Sequence, residues 1–346
     1  MSNRTYTPEE LKATLESFGI KDSSDVSRYG SGHINDTFKV ETVSGRRFIL
    51  QRVTDAFDKD ILKTNITRVT DHLKAKGVKT LEIVGYENPW RVYRFLEGYS
   101  SVDVISDPAQ AELAASAFAA FQNALSDLPE PKLLPVIPKF HDTVDRLRLL
   151  DAAAAADVKG RKASVAKELA FVDARREEAA KIVNMMAKGE IPERITHNDT
   201  KINNVLFNRE TDEAMVIIDL DTVMPGLVGY DFGDGVRFAA NCVAEDCPDT
   251  ALAKCDLARF QAFAGGFLSQ TADMLTETER KTLALSVFSI TVELAARFLD
   301  DYIVGDQYFN IDYPTHNLIR ARCQIALAKD VHEKLDEMKA YIDTFA

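Results

Sequence analysis

Two neighbouring stretches of the chain constrain its fold more than any other feature. The first, 195–207, reads ITHNDTKINNVLF, and the second, 216–235, reads VIIDLDTVMPGLVGYDFGDG. Asp199 and Asn204 lie in what reads as a short loop, and the apolar run that opens the second stretch ends at Asp219. An apolar run of this kind is typical of a buried strand. The fold therefore has to bring one short loop beside the end of one strand.

The three polar side chains at this point are the groups that metal-dependent phosphoryl transfer uses. Asp199 is placed to accept a proton from an acceptor hydroxyl and to orient its oxygen in line with a γ-phosphate. Asn204 and Asp219 offer the hard oxygen ligands that Mg²⁺ prefers, with phosphates and water completing its shell. A lone loop aspartate is more often a turn residue or a cap, and we keep that simpler interpretation for Asp221. The pattern predicts a kinase that uses ATP and Mg²⁺.

Three further polar residues are predicted to support the loop rather than to react. His197 is predicted to support the loop beside Asp199 through hydrogen bonds. Asp231, in GYDFGDG, is expected to accept backbone N–H groups and hold the loop in place. Asp234 is expected to cap the helix that follows it.

The first hundred residues predict a small α+β lobe. Alternating apolar residues predict strands over 28–40 and 46–53, joined by a Ser-Gly turn at 43–45. Helical spacing of apolar residues predicts a helix over 58–76. A second strand pair is predicted over 82–85 and 90–95. In the first pair, the alternation puts four apolar side chains on one face: Phe38, Val40, Phe48 and Leu50.

Beyond a hinge at 96–98 the pattern becomes mostly helical. The chain is therefore predicted to have an N-terminal nucleotide-binding lobe, 1–97, and a C-terminal catalytic and acceptor-binding lobe, 98–346. Apolar periodicity predicts the following helices in the second lobe: 109–125, 163–188, 250–271, 277–301 and 316–345.

Two glycines between the first strands are candidate phosphate-binding residues. Gly30 and Gly32 could let backbone N–H groups close over phosphates, although Gly-x-Gly between strands is most often only a turn. His33 and Asn35 would then face the same cleft.

The cation expected to pair with the nucleotide phosphates is not obvious in the sequence. Gln51 occupies the strand position where kinases usually have a lysine, and Arg52 follows it. In kinases that lysine usually pairs with a glutamate of the next helix, but the helix predicted over 58–76 contains no glutamate. Both residues remain candidate nucleotide ligands, together with Phe95 and Leu96 at the hinge.

Charge and composition exclude several classes of protein. The formal net charge of −12 argues against a nucleic-acid or membrane-surface footprint, which would need a basic face. No apolar run reads as long enough to span a membrane, and the polar N-terminus has no signal-peptide core. We expect a soluble cytoplasmic protein whose partners are small molecules, with no obligate protein partner.

The cysteines predict neither a zinc site nor a disulfide framework. None of the four forms a C-x-x-C pair, and they read as small buried hydrophobes in a reducing compartment. They are Cys242, Cys247, Cys255 and Cys323.

A late segment leaves two interpretations open. Arg297 lies on an apolar helical stretch that leads into a loop containing Tyr308. The two side chains could donate hydrogen bonds to a polyhydroxylated ligand. Alternatively, Arg297 is a buried structural residue paired with Asp300 or Glu293.

Six strings carry a resemblance to a known family. The chain resembles the aminoglycoside phosphotransferase/choline kinase superfamily and, within it, the N-acetylhexosamine 1-kinase group. The strings extend over most of the chain: SGHINDTF, FILQRV, KFHDTVDR, THNDTKINNVLF, IDLDTVMPGLVGYDFGD and ELAARFLDDYIVGDQYF. The resemblance implies a protein-kinase-like bilobal fold of the α+β class, with a small antiparallel β-rich N-lobe and a mostly helical C-lobe.

The resemblance also implies an activity and residue roles. The activity is ATP- and Mg²⁺-dependent phosphorylation of the anomeric hydroxyl of N-acetylglucosamine or N-acetylgalactosamine. It implies that Asp199 is the catalytic base and that Asn204 and Asp219 are metal ligands. It further implies three sugar contacts: His33, Arg297 and Tyr308.

Other functions remain open at this point. An aminoglycoside acceptor would want several carboxylates, which Asp300, Asp301 and Asp306 could supply. A choline acceptor would want an aromatic cage around its cation, and homoserine is a further acceptor of the same class. The missing lysine–glutamate pair would also suit a pseudokinase that binds nucleotide without turnover.

Overall fold

The computed structural model describes residues 4–30, 35–102, 104–105, 107–211 and 214–345. The chain divides into two compact units, Met1–Tyr99 and Ser100–Ala346. A short strand, β6 (Tyr99–Ser100), lies at the boundary. Each unit is described separately below.

The first unit is built on a five-stranded antiparallel sheet with the order β1-β2-β3-β5-β4. The predicted β-rich N-terminal lobe is confirmed, and so is the helix predicted over 58–76. Its elements are α1 (Pro8–Ser17), β1 (Ser23–Arg28), β2 (Asp36–Thr42), β3 (Arg47–Arg52), α2 (Lys59–Ala75), β4 (Ile83–Glu87) and β5 (Trp90–Arg94).

One face of this sheet forms a core against helix α1. The alternation along β2 and β3 puts Phe38, Val40, Phe48 and Leu50 into one cluster, as predicted, and Leu15 of α1 packs against them. All five side chains are at most 4% exposed. Even-numbered residues of β2 and β3 therefore face α1, and odd-numbered residues face the opposite side.

The first predicted strand is wrong in its boundaries. Strand β1 ends at Arg28, where 28–40 was predicted to be one strand, and β2 begins only at Asp36. Arg28 and Asp36 form an ion pair of 3.2 Å. Gly30, between the strands, has φ 79°, a left-handed conformation in which glycine is favoured. The sequence pattern that predicted one strand over 28–40 does not mark this interruption.

The second unit is mostly helical, as predicted. Its helices are α3 (Pro108–Leu125), α4 (Thr143–Ala156), α5 (Ala166–Asp173), α6 (Arg176–Ala179), α7 (Lys181–Ala187), α8 (Val228–Ala239), α9 (Leu257–Thr271), α10 (Glu277–Val304) and α11 (His316–Asp343). The single helix predicted over 163–188 is wrong, because this segment is divided into a 3₁₀ turn and three short helices. No proline or glycine interrupts it, so the breaks have no local signal in the sequence.

Helix α10 is the central helix of this unit. It packs against α4, α8 and α11. It is also long and apolar enough to cross a membrane by composition, which corrects the expectation that no such run exists, but 89% of its apolar window is buried inside the protein. Its hydrophobicity is therefore explained by burial within the core.

Short strands of the second unit position the predicted reactive loop. Strand β7 (Arg194–Thr196) pairs with β10 (Met224–Gly226), and β8 (Val205–Asn208) pairs with β9 (Ala214–Ile217). The loop 197–204 connects β7 to β8, so it is fixed at both ends by strand pairing.

Candidate active site

The loop 197–204, named the catalytic loop after its predicted role, makes a sharp turn immediately before Asp199. Asn198 has φ 64°, a left-handed conformation that asparagine tolerates better than most residues. Its side-chain nitrogen donates to the carbonyl oxygen of Thr222 at 2.9 Å and to that of Thr196 at 3.1 Å. The asparagine thus holds the turn from which the Asp199 side chain projects.

Helix α8 fixes the loop through Asp231. This fully buried carboxylate accepts the backbone N–H of His197 at 2.8 Å and that of Asn198 at 2.6 Å, and Gln122 donates to it as well. Burial raises the pKa of Asp231, while these donors act in the opposite direction. The carboxylate therefore serves as a fixed acceptor for the loop backbone.

Asp234 does not cap a helix, which corrects the prediction for this residue. It lies inside α8, where its carboxylate accepts the backbone N–H of Thr200 at 3.1 Å. It also forms a 2.7 Å ion pair with the buried Arg237. Asp231 and Asp234 thus hold successive parts of the same loop, because they lie three residues apart on one helix face.

His197 joins the loop to the end of strand β9. Its Nε2 donates to the carbonyl oxygen of Ile218 at 2.9 Å, since a carbonyl can only accept. Its ring is fully buried and packs edge-on against Phe118 and Phe121. In this structure it supports the loop from the side away from solvent.

Asn204 and Asp219 are brought to neighbouring positions by the same strand end. The backbone N–H of Ile218 donates to the carbonyl oxygen of Asn204 at 2.9 Å. Asp219 follows directly, in a left-handed conformation (φ 58°) with its side chain exposed. Asp221, by contrast, is 4% exposed.

Asp199 is contacted by one donor at each carboxylate oxygen. The Asn204 side-chain nitrogen lies 3.1 Å from Oδ2, and Lys201 Nζ lies 3.1 Å from Oδ1. Burial by itself would raise the pKa of Asp199, but the Lys201 ammonium and the hydrogen bonds from Lys201 and Asn204 act together against it, and the pKa is lowered. The side chain is 24% exposed, so Asp199 is an ionised carboxylate that solvent can reach.

Lys201 is a residue that the sequence analysis missed. Asp199 holds its pKa above the ordinary value, despite the opposing effect of burial. The side chain is 38% exposed. A lysine two positions after a predicted base, within the same loop, was the available signal.

A glycine is required where strand β10 crosses the catalytic loop. A Cβ at Gly226 would clash with Thr196 Oγ1 and lie 2.7 Å from Asn198 Oδ1. Any larger residue would push the strand away from the loop. Steric contacts therefore explain the glycine at the end of the MPG sequence of this strand.

Arg297 and Tyr308, the predicted acceptor contacts of the second unit, are brought together. The guanidinium carbon of Arg297 lies 4.9 Å from the ring centre of Phe140, 5.6 Å from that of Phe309 and 5.9 Å from that of Tyr308. Arg297 is half-buried, and Tyr308 is 58% exposed. The three rings form an aromatic cluster around one cation.

The alternative ion pairs of Arg297 are not formed. Among the described residues, no carboxylate oxygen lies within the 4 Å of a salt bridge to Arg297. Glu293 bonds to His141 and Thr143 instead. Burial and the neighbouring Asp301 raise the pKa of Asp300. The structural interpretation of Arg297 as half of a buried pair is therefore wrong.

The loop that carries Tyr308 is held by Asp301. This carboxylate is 3% exposed and accepts three successive backbone N–H groups, of Gln307, Tyr308 and Phe309, at 2.8–2.9 Å. The adjacent Asp306 pairs with Arg161 at 2.5 Å. The carboxylates of Asp301 and Asp306 are therefore both engaged in contacts within the protein.

The first unit separates Gln51 from Arg52. Gln51 faces away from α1, where its amide donates to Thr37 Oγ1 and accepts from Arg91 Nε, both at 3.0 Å. Arg52 faces the opposite side and pairs with Asp55 at 2.9 Å. Arg91, only 1% exposed, is a buried cation on the neighbouring strand that the sequence analysis missed.

Phe95, one of the two predicted hinge contacts, packs its ring against Tyr29 at 5.9 Å. Leu96 is half-buried beside it. Gly32 and His33 lie outside the described residues. Trp90 is partly buried and contacts Tyr6 and Phe38 beside the core of the first unit.

We expect Asp231→Ala to lower the free energy of unfolding by about 2–4 kcal/mol, because two buried backbone N–H groups lose their acceptor. Urea unfolding followed by circular dichroism measures the change. Asp336→Ala is the control, since that side chain is 99% exposed. Equal stability of the two variants would show that Asp231 does not hold the loop.

Comparisons with known proteins identify the family and the fold of the chain. Residues 25–269 match the model of the phosphotransferase enzyme family. The fold is similar to that of Plasmodium vivax ethanolamine kinase (14% identity, 92% of this chain and 90% of that chain, TM-score 0.60). It is also similar to a choline/ethanolamine kinase family protein from Mesorhizobium loti (14%, 97% and 99%, TM-score 0.61).

A third solved structure is spectinomycin phosphotransferase in complex with ADP and spectinomycin (14% identity, 96% of this chain and 100% of that chain, TM-score 0.59). At this identity the three likenesses establish the kinase-like fold that the sequence predicts. The family model covers well over half of the chain, and its match includes both the catalytic loop and Asp219. The chain belongs to the phosphotransferase enzyme family.

Proposed function

We propose that the protein is an ATP- and Mg²⁺-dependent kinase that phosphorylates the anomeric hydroxyl of an N-acetylhexosamine. The observation that carries the proposal is the joint arrangement around Asp199. Its carboxylate is ionised and contacts Lys201 and Asn204. The backbone carbonyl of Asn204 accepts the N–H of Ile218, at the strand end that carries Asp219.

In the proposed mechanism, Asp199 accepts the proton of the acceptor hydroxyl as the oxygen attacks the γ-phosphorus of ATP. The bond from that phosphorus to the bridging oxygen breaks, and ADP leaves. An anomeric hydroxyl is more acidic than an ordinary alcohol, so one carboxylate is sufficient help. Lys201 is close enough to Asp199 to stabilise negative charge on the transferred group. Most of the catalysis is then positioning and charge neutralisation.

The donor set fits a magnesium ion. The Asn204 nitrogen donates to Asp199, which leaves the amide oxygen as the end for a metal. Asp219 adds an exposed carboxylate, and such oxygen donors are those that Mg²⁺ prefers. When bound, the ion neutralises charge on the phosphate oxygens. ADP in the spectinomycin phosphotransferase structure supports ATP as the phosphate donor.

The acceptor side favours a neutral sugar over an aminoglycoside. Two of the three carboxylates that could bind cationic amines, Asp301 and Asp306, are buried and already bonded. Arg297, in contrast, presents a guanidinium framed by aromatic rings, which suits hydroxyl and amide oxygens. An aminoglycoside or amino alcohol remains the alternative acceptor.

A pseudokinase is the less favoured alternative. It rests on the absence of a lysine at position 51. Against it, Arg91 contacts Gln51 and supplies a buried cation on the neighbouring strand β5. In addition, the proposed base Asp199 and the proposed metal ligands Asn204 and Asp219 all carry side chains suited to those roles.

The remaining predictions of the sequence analysis belong to this proposal. Residues 1–97 would bind nucleotide, with Gln51 preferred to Arg52, whose guanidinium is paired with Asp55. Gly30, Gly32, Phe95 and Leu96 remain proposed nucleotide contacts, and His33 a sugar contact. Residues 98–346 would bind the acceptor, and the enzyme would act as a cytoplasmic protein on small molecules.

We expect Arg297→Ala to raise the KM for the sugar about tenfold, with the KM for ATP nearly unchanged, because the guanidinium would contact only the acceptor. Arg297→Lys should recover part of the loss, since it keeps the charge but not the planar donor set. Arg322→Ala is the control, because Arg322 pairs with Glu168 at the surface. A change confined to the ATP kinetics would contradict this placement of the sugar.

A coupled ADP-release screen with Mg²⁺ and ATP tests the proposal. The acceptors should be N-acetylglucosamine, N-acetylgalactosamine, galactose, kanamycin, choline and homoserine. We expect kcat/KM for one of the two N-acetylhexosamines to exceed that of every other acceptor. Preferred turnover of kanamycin, choline or homoserine would replace the proposed acceptor, and no turnover with any of them would favour the pseudokinase.

A further inference from the structure

The segment Phe140–His141 contacts both the catalytic loop and helix α10, which carries the proposed acceptor contact Arg297. His141 Nε2 lies 2.9 Å from the carbonyl oxygen of Asn198, the residue before Asp199. His141 Nδ1 lies 2.8 Å from Glu293 Oε1. The preceding Phe140 provides the ring nearest to the Arg297 guanidinium. Neither the phosphate-binding nor the sugar-binding assignments give His141 a role.

The hydrogen-bond partners of His141 determine its protonation. The Asn198 carbonyl can only accept, so Nε2 must carry a hydrogen. One further proton lies between Nδ1 and Glu293. The Thr143 hydroxyl donates to the other oxygen of Glu293 at 2.8 Å, and this bond stabilises the ionised carboxylate.

Electrostatics agree with an ionised Glu293. The carboxylate is 0% exposed, and burial alone would raise its pKa. The hydrogen bonds from His141 and Thr143, together with the positive charge of Arg297, act against burial, and the pKa of Glu293 is lowered. With Glu293 ionised, the shared proton is carried by the ring, and both ring nitrogens act as donors.

We propose that His141 is a buried imidazolium, paired with Glu293, that positions Asp199 by holding the Asn198 carbonyl. This inference rests on the role of Asp199 in the proposed function. His141 is a positioning residue, because its contact is with the loop backbone and not with a reacting atom.

The position of this bond explains its importance. Asn198 has a left-handed backbone, and its carbonyl belongs to the peptide group that leads into Asp199. A charge-assisted hydrogen bond is stronger than a neutral one, and it prevents this peptide from rotating. A displacement of about 1 Å at a reacting group can reduce the rate about 100-fold.

The same pair connects the loop to the acceptor helix. Glu293 and Arg297 lie four residues apart on α10 and so share one face of the helix. Glu293 is connected to the Asp199 loop through His141, and Arg297 contacts the ring of Phe140. The segment Phe140–His141 therefore sets the distance between the proposed base, Asp199, and the proposed acceptor contact, Arg297.

The protonation state can be measured in the unmodified protein. In protein labelled with ¹⁵N-histidine, we expect both ring nitrogens of one buried histidine to be protonated at pH 7. This signal should disappear in the double variant His141→Gln/Glu293→Gln, which assigns it to His141. A His141 signal with one unprotonated ring nitrogen would overturn the proposal, whatever the stability of the variants.

Two variants test the positioning role. In His141→Asn the amide nitrogen replaces Nδ1, so the contact with Glu293 survives and the link to Asn198 is lost. In His141→Gln/Glu293→Gln the amide nitrogen replaces Nε2, so the link to Asn198 survives without a buried charge.

We expect kcat to fall about 100-fold in His141→Asn, with the KM for ATP within about twofold of the native value. The double variant should keep kcat within about tenfold of native. Equal losses in both variants, in proportion to their melting temperatures, would show a structural role only. If no acceptor is turned over, the proposed function fails, while the histidine spectrum still tests the charge of His141.

Discussion

Asp199→Asn is expected to reduce kcat by about 10³–10⁴-fold while nucleotide binding survives. The substitution keeps the size of the side chain but removes the proposed acceptor of the hydroxyl proton, a contribution of about 10²–10⁴-fold in general base catalysis. It also leaves Lys201, 3.1 Å away, without its carboxylate. Steady-state kinetics measure kcat, and isothermal titration calorimetry measures the dissociation constant of Mg²⁺-ATP.

Asp336→Asn is the matched control for this experiment, since it makes the same change at a side chain that is 99% exposed. It should leave both quantities unchanged. Near-native turnover of Asp199→Asn would remove the assignment of the base. A loss of nucleotide affinity equal to the loss of turnover would move Asp199 to the nucleotide side.

Asp219→Ala is expected to lower kcat by about 10²–10³-fold, because one of the two proposed metal ligands is lost. The concentration of Mg²⁺ needed for half-maximal activity should rise as well. A Mg²⁺ titration of the rate at saturating ATP separates this effect from a general loss of activity.

Asp221→Ala provides the comparison, because it alters a second aspartate two residues along the same segment. Asp221 is buried, while Asp219 is exposed. We expect Asp221→Ala to change stability and to leave the Mg²⁺ dependence unchanged. If the titration moved with Asp221 and not with Asp219, the ligand would have been assigned to the wrong aspartate.

Features that depend on local patterns could be predicted from the sequence. The shared face of Phe38, Val40, Phe48 and Leu50 follows from strand alternation, and it is present in the core. The proximity of the catalytic loop to the end of β9 follows from the short connection between them. The roles of Asp199, Asn204 and Asp219 remain predictions.

Contacts between distant parts of the chain could not be predicted. His141 and Glu293 are separated by 152 positions, and no periodic pattern indicates that they meet. Arg91 joins Gln51 only through the register of β3 and β5. The burial of Asp301 and Asp306 likewise depends on packing, and it weighs against their role as ligands for amines.

Gln51 and Arg52 lie on opposite faces of strand β3. Adjacent strand residues point to opposite sides of a sheet, so only one of them can lie on the face away from α1. The sequence left both open, because either phase fits a strand of this length. The core packing of Leu50 fixes the phase and puts Gln51 on the face away from α1.

The central claim is that Asp199, Asn204 and Asp219 act together around a magnesium-bound triphosphate. A crystal structure with Mg²⁺, a non-hydrolysable ATP analogue and N-acetylglucosamine tests it most directly. We expect the Asn204 side-chain oxygen and the Asp219 carboxylate on the metal, and Asp199 within hydrogen-bonding distance of the C1 hydroxyl. A metal held by other side chains, or a sugar whose C1 hydroxyl lies away from Asp199, would contradict the claim.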